Sequence, residues 1–150
     1  MCQGEYVCYH STMPDRNSTA EVKRLFLGLA DRTRLRLLNL MGDQIVCVCY
    51  FVEILGLPQP TISRHLAYLR RMGLVLAHRE GKWMHYRIAV PANQFARQIL
   101  KTTLLWLESD KDMQRDRSRL TSACCAPQKF VNLQGAPAPT LVPELFAERN

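Results

Sequence analysis

The chain lacks several features that would assign it to common functional classes. It has no apolar run close to the roughly 20 residues that a membrane-spanning helix needs, and its first residues, MCQGEYVCYHSTMPDR, lack the apolar stretch of a secretory signal. No glycine-rich loop of the kind that binds phosphate groups surrounds any cysteine. These absences predict a cytoplasmic protein without a membrane partner, and they argue against a thiol-dependent reductase or another enzyme.

What the chain does have is an excess of positive charge. Lys and Arg number 20 against 13 Asp and Glu, which gives a formal net charge of +7 over 150 residues. That length suits one domain with one modest hydrophobic core. A surplus of this size on a small domain is typical of a protein that binds a polyanion, most often nucleic acid. Composition alone is equally consistent with a basic protein that is soluble and binds no nucleic acid.

The six cysteines form a second distinctive feature, because they occur as three pairs. Thiols stay reduced in the cytoplasm, so the sequence does not favour structural disulfides. Metal binding or redox chemistry is the better prediction for paired cysteines in that compartment. The pairs are Cys2 with Cys8, Cys47 with Cys49, and Cys124 with Cys125.

Hydrophobic periodicity predicts five helices and one β-hairpin. The predicted helices cover 19–29, 32–41, 45–55, 60–72 and 92–107, and the strands cover 74–79 and 83–90. Asp31 is a candidate N-cap for the second helix, and Gly81 allows a tight hairpin turn. We therefore divide the chain into a mobile arm over 1–18, a folded domain over 19–108, and a charged, then proline-rich, largely disordered tail over 109–150.

Two short helices joined by a tight turn and followed by a hairpin predict a winged helix-turn-helix, mainly α with a β-hairpin wing. In such folds the second helix enters the major groove of DNA, and cations on the wing meet phosphate. With Ile62, Leu66 and Leu69 on the core face, the polar face of that helix is free for DNA. Arg64 there could pair bidentately with guanine. The candidate DNA-binding residues are Gln59, Thr61, Ser63, Arg64, Tyr68, Arg71, Arg79 and Lys82.

Four segments of the sequence resemble, in order, the arsenical-resistance repressors of the ArsR/SmtB family. They are LADRTRLRLL, CVC, QPTISRHLAYLRRMGLV and REGKWMHYRI, and the resemblance covers about residues 20–107. It implies a homodimer in which the first and last helices of the domain form the subunit contact. It also implies a double-stranded operator with two-fold symmetry and a repressor that leaves this DNA when an effector binds.

Cys47 and Cys49, at the start of the third predicted helix, are the candidate effector ligands. A thiol near a helix N-terminus has a lowered pKa, and its thiolate binds soft ions. Because residues i and i+2 do not share a helix face, we expect the helix start to unwind or bend when both thiolates bind one ion. The resemblance makes trivalent arsenic, as arsenite or methylarsenite, or the related ion antimonite, the predicted effector, with no organic cofactor. The alternative is that both cysteines are small buried hydrophobic residues.

The sequence departs from the family pattern after the second cysteine. Repressors with this motif often read CVCDLC, whereas this chain reads CVCYFV and has Val52 in place of a third cysteine. A third thiolate therefore comes from elsewhere, or the effector needs only two. Cys124 and Cys125 are the candidate third ligands, with Cys2 and Cys8 as second choice by resemblance to the cadmium- and lead-sensing branch. Two alternative functions follow: a cadmium- or lead-sensing repressor that uses the cysteines of the N-terminal arm, and a thiol redox switch on the same fold.

Overall fold

The structure is a computed structural model that describes residues 16–142 and 145–146, with side chains from residue 19 onward. The helices in this part of the chain are α1 (Arg16–Leu29), α2 (Arg32–Met41), α3 (Val48–Leu55), α4 (Gln59–Arg71), α5 (Gln94–Ser109) and α6 (Lys111–Cys125). The strands are β1 (Gln44–Cys47), β2 (Val75–Glu80), β3 (Trp83–Ile88) and β4 (Thr140–Leu141). Most of the arm predicted over 1–18 lies outside the described residues, and its last three positions already belong to α1.

Side-chain caps set the starts of α2, α5 and α6. Asp31 accepts a hydrogen bond from the Arg34 amide at 2.9 Å, which confirms it as the N-cap of α2. Asp110 separates α5 from α6, and its side chain accepts from two amides in the first turn of α6. At the other end of a helix, Gly56 closes α3 in the left-handed conformation with φ 63°, which a glycine adopts without strain.

The strands form one antiparallel sheet in the order β2-β3-β1-β4. Gly81, with φ 58°, and Lys82 form the tight turn of the β2–β3 hairpin, between the paired residues Glu80 and Trp83. The third predicted helix begins later than expected, because 45–47 belong to β1 and pair with β3. The prediction was wrong there because a run of apolar and β-branched residues fits a buried strand as well as a helix.

A single apolar core lies between the helices and one face of the sheet. α4 contributes Ile62, Leu66 and Leu69, all buried, as the sequence predicted for its core face. The other large side chains that are fully buried include Leu25, Leu37, Leu38, Leu40, Met41, Tyr50, Phe51, Ile54 and Ile88. No helix among the residues that the structure describes has the length and apolar character needed to cross a bilayer.

The tail differs most from the sequence prediction, which had residues 109–150 largely disordered. Residues 111–125 form α6, which buries Met113, Leu120 and Ala123 and packs against α2 and α3. Two short 3-10 turns follow, over Pro127–Lys129 and Val131–Leu133, and then β4 pairs with β1. The α6 segment is highly charged, and a carboxylate in it pairs with an arginine 80 positions earlier in the chain. A contact of this kind cannot be predicted from local composition.

Candidate DNA-binding surface and thiol site

The helix α4 presents a polar face opposite its buried one. Gln59, Ser63, Arg64 and Arg71 are exposed on that face, and Thr61 is half-buried. Pro58 precedes the helix as its N-cap residue and offers no capping side chain, and its carbonyl accepts from the amides of Thr61 and Ile62. These positions match the DNA-side residues that the sequence predicted on this helix.

Tyr68 of α4 is held between two arginines. The Arg34 guanidinium lies 4.3 Å from the centroid of its ring, and that of Arg71 lies 4.9 Å away. Arg34 also donates to the carbonyls of Gly28 and Leu27, which satisfies the last turn of α1. Arg34 was not identified from the sequence. An arginine two residues into a helix that follows a tight turn is nevertheless well placed to donate hydrogen bonds to the last carbonyls of the preceding helix.

The wing adds further positive charge beside α4. Arg79 and Lys82 are exposed near its tip, and the Lys82 ammonium lies 4.8 Å from the centroid of the Trp83 ring. The exposed cations on α4 and the hairpin are Arg64, Arg70, Arg71, Arg79 and Lys82, against one acidic side chain on these two elements, Glu80. The combination of an exposed helix face and a cationic hairpin suits a duplex with its phosphates on both sides of the major groove.

The two cysteines of the CVC motif meet at the junction of β1 and α3. Cys47 ends β1 and is the N-cap residue of α3, with extended backbone at φ −70° and ψ 143°, whereas Cys49 lies in the first turn of the helix. The Cys49 thiol donates to Cys47 Sγ at a sulfur–sulfur distance of 2.9 Å. The premise that both cysteines lie on one helix is therefore wrong, because Cys47 stands outside α3. A change of α3 on ion binding stays a prediction.

This contact controls the ionisation of the pair. The hydrogen bond from Cys49 lowers the pKa of Cys47 to about 7; the amides of Cys49 and Val48 act in the same direction, and burial opposes them. The same hydrogen bond, together with burial, raises the pKa of Cys49 far above its ordinary value. Near neutral pH the pair therefore holds at most a single negative charge, centred on Cys47. A thiolate of this kind is both a nucleophile and a soft ligand.

The candidate third ligands are not gathered at this pair. Cys124, near the end of α6, is half-buried against the core, and Cys125 is exposed. Within the described ranges, no three His, Cys, Asp or Glu side chains are grouped closely enough to hold a metal ion. Cys2 and Cys8 lie outside the residues that the structure describes. The preformed part of the site is thus a two-sulfur site.

Tyr50, directly after Cys49, is a residue that sequence reasoning missed. Its side chain is completely buried, and its hydroxyl has no hydrogen-bond partner in the part of the chain that the structure describes. Burial raises the pKa of Tyr50, and the charges of Cys124, Cys49 and Cys47 raise it further. The sequence feature that singles out Tyr50 is its position in CVCYFV, where this chain departs from the family pattern CVCDLC.

Residues 31–76, which contain α2, β1, α3 and α4, match the profile of the family described as "Bacterial regulatory protein, arsR family". The arsenical resistance operon repressor of Escherichia coli (strain K12) is 44% identical over 78 residues, which are 51% of this chain and 67% of the repressor. The arsenic resistance transcriptional regulator ArsR1 of Pseudomonas putida is 38% identical over 91 residues, 57% of this chain and 71% of that regulator. The chain belongs to the arsR family.

A solved structure gives the same fold for this arsR-family chain. Reduced HlyU from Vibrio cholerae N16961 superposes with a TM-score of 0.53 at 26% identity, covering 63% of this chain and 95% of HlyU. The winged helix-turn-helix predicted from the sequence is thus confirmed. The family consists of DNA-binding regulators, so the chain is a transcriptional regulator rather than an enzyme, as the sequence predicted.

One further surface of this arsR-family chain is unusually apolar. α1 and α5 pack against each other. Most of the large hydrophobic side chains that the described residues expose lie on these two helices: Phe26, Leu27, Phe95, Leu105 and Trp106. Phe95 is 72% exposed and Trp106 60% exposed. Soluble monomeric proteins rarely expose large apolar side chains in this number, and such surfaces usually bind a partner.

Proposed function

We propose that this arsR-family regulator is a repressor that releases its operator when trivalent arsenic binds the thiolates of Cys47 and Cys49. The observation that carries the proposal is the contact of 2.9 Å between the two sulfurs at the start of α3, the helix directly before α4. Two of the relatives described above are named for arsenical or arsenic resistance. Thiolates select soft ions of this kind over hard ones.

The proposed DNA surface consists of the polar face of α4 and the tip of the wing. Exposed Arg64 is the candidate for reading a guanine, since it projects from a recognition helix without an internal partner among the described residues. Tyr68 has a supporting role as well, because it holds the Arg71 guanidinium in place. The remaining proposed contacts are Gln59, Thr61 and Ser63 on α4 and Arg79 and Lys82 on the wing.

The proposed operator-bound form is a homodimer. α1 and α5 pack against each other and carry most of the exposed apolar side chains, and two copies of this helix pair related by a two-fold axis would bury them. Such a dimer presents two α4 helices to the two halves of a symmetric duplex, about one helical turn apart.

The proposed coupling between effector and DNA runs through Cys47. This residue ends β1, which pairs with β3 of the wing, and it also begins α3, which packs on α4. An ion held by both sulfurs replaces the hydrogen bond between them. Ligation therefore changes the contact at the point where β1 meets α3, and both DNA-contacting parts are attached to these elements.

The test is the double variant Cys47→Ser with Cys49→Ser. Binding to a two-fold symmetric duplex, selected from a random pool, is followed by fluorescence anisotropy with arsenite under reducing conditions. We expect wild-type DNA affinity without arsenite and no release with it, because serine keeps the size of the side chain but supplies no soft anionic ligand.

The matched control is Cys124→Ser with Cys125→Ser, which leaves the two-sulfur site intact and should still release DNA. Release of the Cys47/Cys49 double variant at wild-type arsenite concentrations would contradict the proposal and move the sensor to α6. Release that needs an oxidant instead of arsenite would establish the redox alternative.

A further inference from the structure

Arg34 of α2 joins the last turn of α1 to the helix α4. Its guanidinium donates to the carbonyl of Gly28 at 2.8 Å and to that of Leu27 at 2.9 Å. The same guanidinium lies 4.3 Å from the centroid of the Tyr68 ring on α4. A guanidinium is planar, with N–H donors along its edge and a flat face that stacks on aromatic rings, so this one side chain contacts both helices at once.

Two further contacts hold α4 at the same junction. The carboxylate of Asp31, the N-cap of α2, lies 3.5 Å from Nδ1 of His65 on α4. Gly28 of α1 lies so close to Leu74, which follows α4 in the chain, that a Cβ at Gly28 would overlap the Leu74 side chain. The position of α4 in the molecule is therefore tied to the end of α1 and the start of α2.

The meaning of this junction for DNA binding rests on the proposed function. Tyr68 also contacts Arg71 of the proposed DNA surface, with the Arg71 guanidinium 4.9 Å from the ring centroid. At the other end of the junction, α1 carries the exposed Phe26 and Leu27 of the proposed subunit contact. In a homodimer built on α1 and α5, the placement of each α4 on its own α1 thus sets the separation of the two recognition helices.

We propose that Arg34 is a positioning residue for operator recognition, which holds α4 against α1 through Tyr68 and so determines the half-site spacing that the dimer accepts. One extra base pair moves the half-sites apart by about 3.4 Å and turns one relative to the other by roughly 35°. A firmly held α4 cannot follow that change, whereas a loosely held one follows part of it. Arg34 therefore contributes to the choice of DNA site by acting on the protein.

The test measures how Arg34→Met and Arg34→Lys bind three duplexes. These are a symmetric duplex selected from a random pool with the wild-type protein, and versions of it with one base pair inserted or deleted at the centre. Fluorescence anisotropy of the full chain without arsenite gives each Kd over a series of salt concentrations, at a temperature where every variant is folded. Because arsenite is absent, the result does not depend on the thiol site.

For Arg34→Met we expect the Kd of the selected duplex to rise roughly tenfold, the size expected when one cation–aromatic contact is lost in each subunit. The Kd of the two altered duplexes should rise less than about threefold, because a loosened α4 regains part of its contacts there. The slope of log Kd against log salt should stay as in wild type, because no phosphate contact is lost. Arg34→Lys should change the spacing preference in the same direction, since an ammonium has no flat face to stack on Tyr68.

Arg32→Met is the matched control for the loss of charge. Arg32 lies two residues earlier on α2, is exposed, and pairs with Asp112, so its replacement should leave the spacing preference unchanged. A double variant of Arg34→Met with Tyr68→Leu should bind the selected duplex no more weakly than Tyr68→Leu alone, because both changes remove the same contact.

Three outcomes would overturn the inference. An equal loss for all three duplexes in Arg34→Met, with a shallower salt slope, would make Arg34 a phosphate contact. A lower Tm with unchanged DNA binding would confine Arg34 to stabilising the fold. Fully additive effects of Arg34→Met and Tyr68→Leu would show that Arg34 does not act through Tyr68.

The wild-type protein separates this inference from the proposed function. If wild type binds the three duplexes equally, or binds the selected one as a monomer, the proposed homodimer on a symmetric operator fails. If wild type distinguishes the duplexes as a dimer and both Arg34 variants do so equally well, only the role of Arg34 fails.

Discussion

At the scale of single residues, the ionisation of Cys47 depends on one neighbouring hydrogen atom. The largest cause of its lowered pKa is the hydrogen bond from the Cys49 thiol. Cys49→Ala should therefore raise the pKa of Cys47 from about 7 toward the ordinary value for cysteine, and the thiolate should appear only at higher pH. The ultraviolet absorbance of thiolate against pH measures this midpoint.

The same pKa gives arsenite capture a pH dependence with a definite sign. Capture through the Cys47 thiolate should speed up as the pH rises through about 7 in wild type and should need a more alkaline solution in Cys49→Ala. Cys125→Ala, at an exposed thiol of α6, is the control and should leave the lowest midpoint in place. A midpoint that does not move in Cys49→Ala would show that the helix amides, and not the thiol, set it.

Residue-scale prediction from the sequence succeeded where the cause is local. The Asp31 cap and the buried face of α4 follow from spacing and residue type along a few positions. Arg34 could not be found in this way, because its role depends on a neighbour that folding brings beside it, the end of α1.

At the scale of the elements, the docking of α6 depends on a pair of charges. Arg36 of α2 donates to both carboxylate oxygens of Asp116, at 2.6 and 2.8 Å, and the Asp116 side chain is only 4% exposed. Arg36→Met would leave this carboxylate buried and unpaired. We expect a loss of roughly 2–4 kcal/mol in the free energy of unfolding, toward the lower part of the range for buried pairs because Arg36 is partly exposed.

Urea denaturation measures that loss, and the chain offers a matched control on the same two helices. Arg32 pairs with Asp112, and both side chains are exposed. Arg32→Met should change the free energy of unfolding by less than about 0.5 kcal/mol. Equal effects of the two variants would show that the α2–α6 contact is held by apolar packing and not by the buried pair.

The elements that the sequence misassigned share one physical property. β1 and α6 both depend on partners that are distant in the chain: β3 for the strand, and α2 and α3 for the helix. A short apolar run fits a strand as well as a helix, and a charged segment fits a disordered tail as well as a helix. Only tertiary contacts decide which of the two structures forms. The helices with caps and a regular apolar face were predicted with bounds close to those observed.

At the scale of the whole molecule, the exposed apolar residues of α1 and α5 form the proposed contact of the dimer. Trp106→Glu places a charge in the centre of the proposed contact, where it would be buried without a partner. We expect sedimentation to show a monomer. Operator affinity should fall by more than tenfold, because one α4 helix then binds without the other.

Val131→Glu is the control for this variant. Val131 is 83% exposed and lies in the segment after α6, away from α1 and α5, so its replacement should leave both the dimer and the DNA affinity as in wild type. A dimeric Trp106→Glu protein with full operator affinity would place the subunit contact elsewhere.

The last strand of the described chain affects how readily the protein aggregates in a crowded cell. β4 has two residues, pairs with β1, and is preceded by Pro139 and followed, after one residue, by Pro143. A sheet that ended on β1 would offer the open backbone of an apolar strand to any other chain, and such edges seed aggregation. Two proline rings beside a very short strand provide few amides for a further strand to bind. The segment that the composition of the sequence predicted to be a disordered tail therefore protects the edge of the sheet. A chain truncated before residue 140 would aggregate sooner than the full chain, although its core is intact.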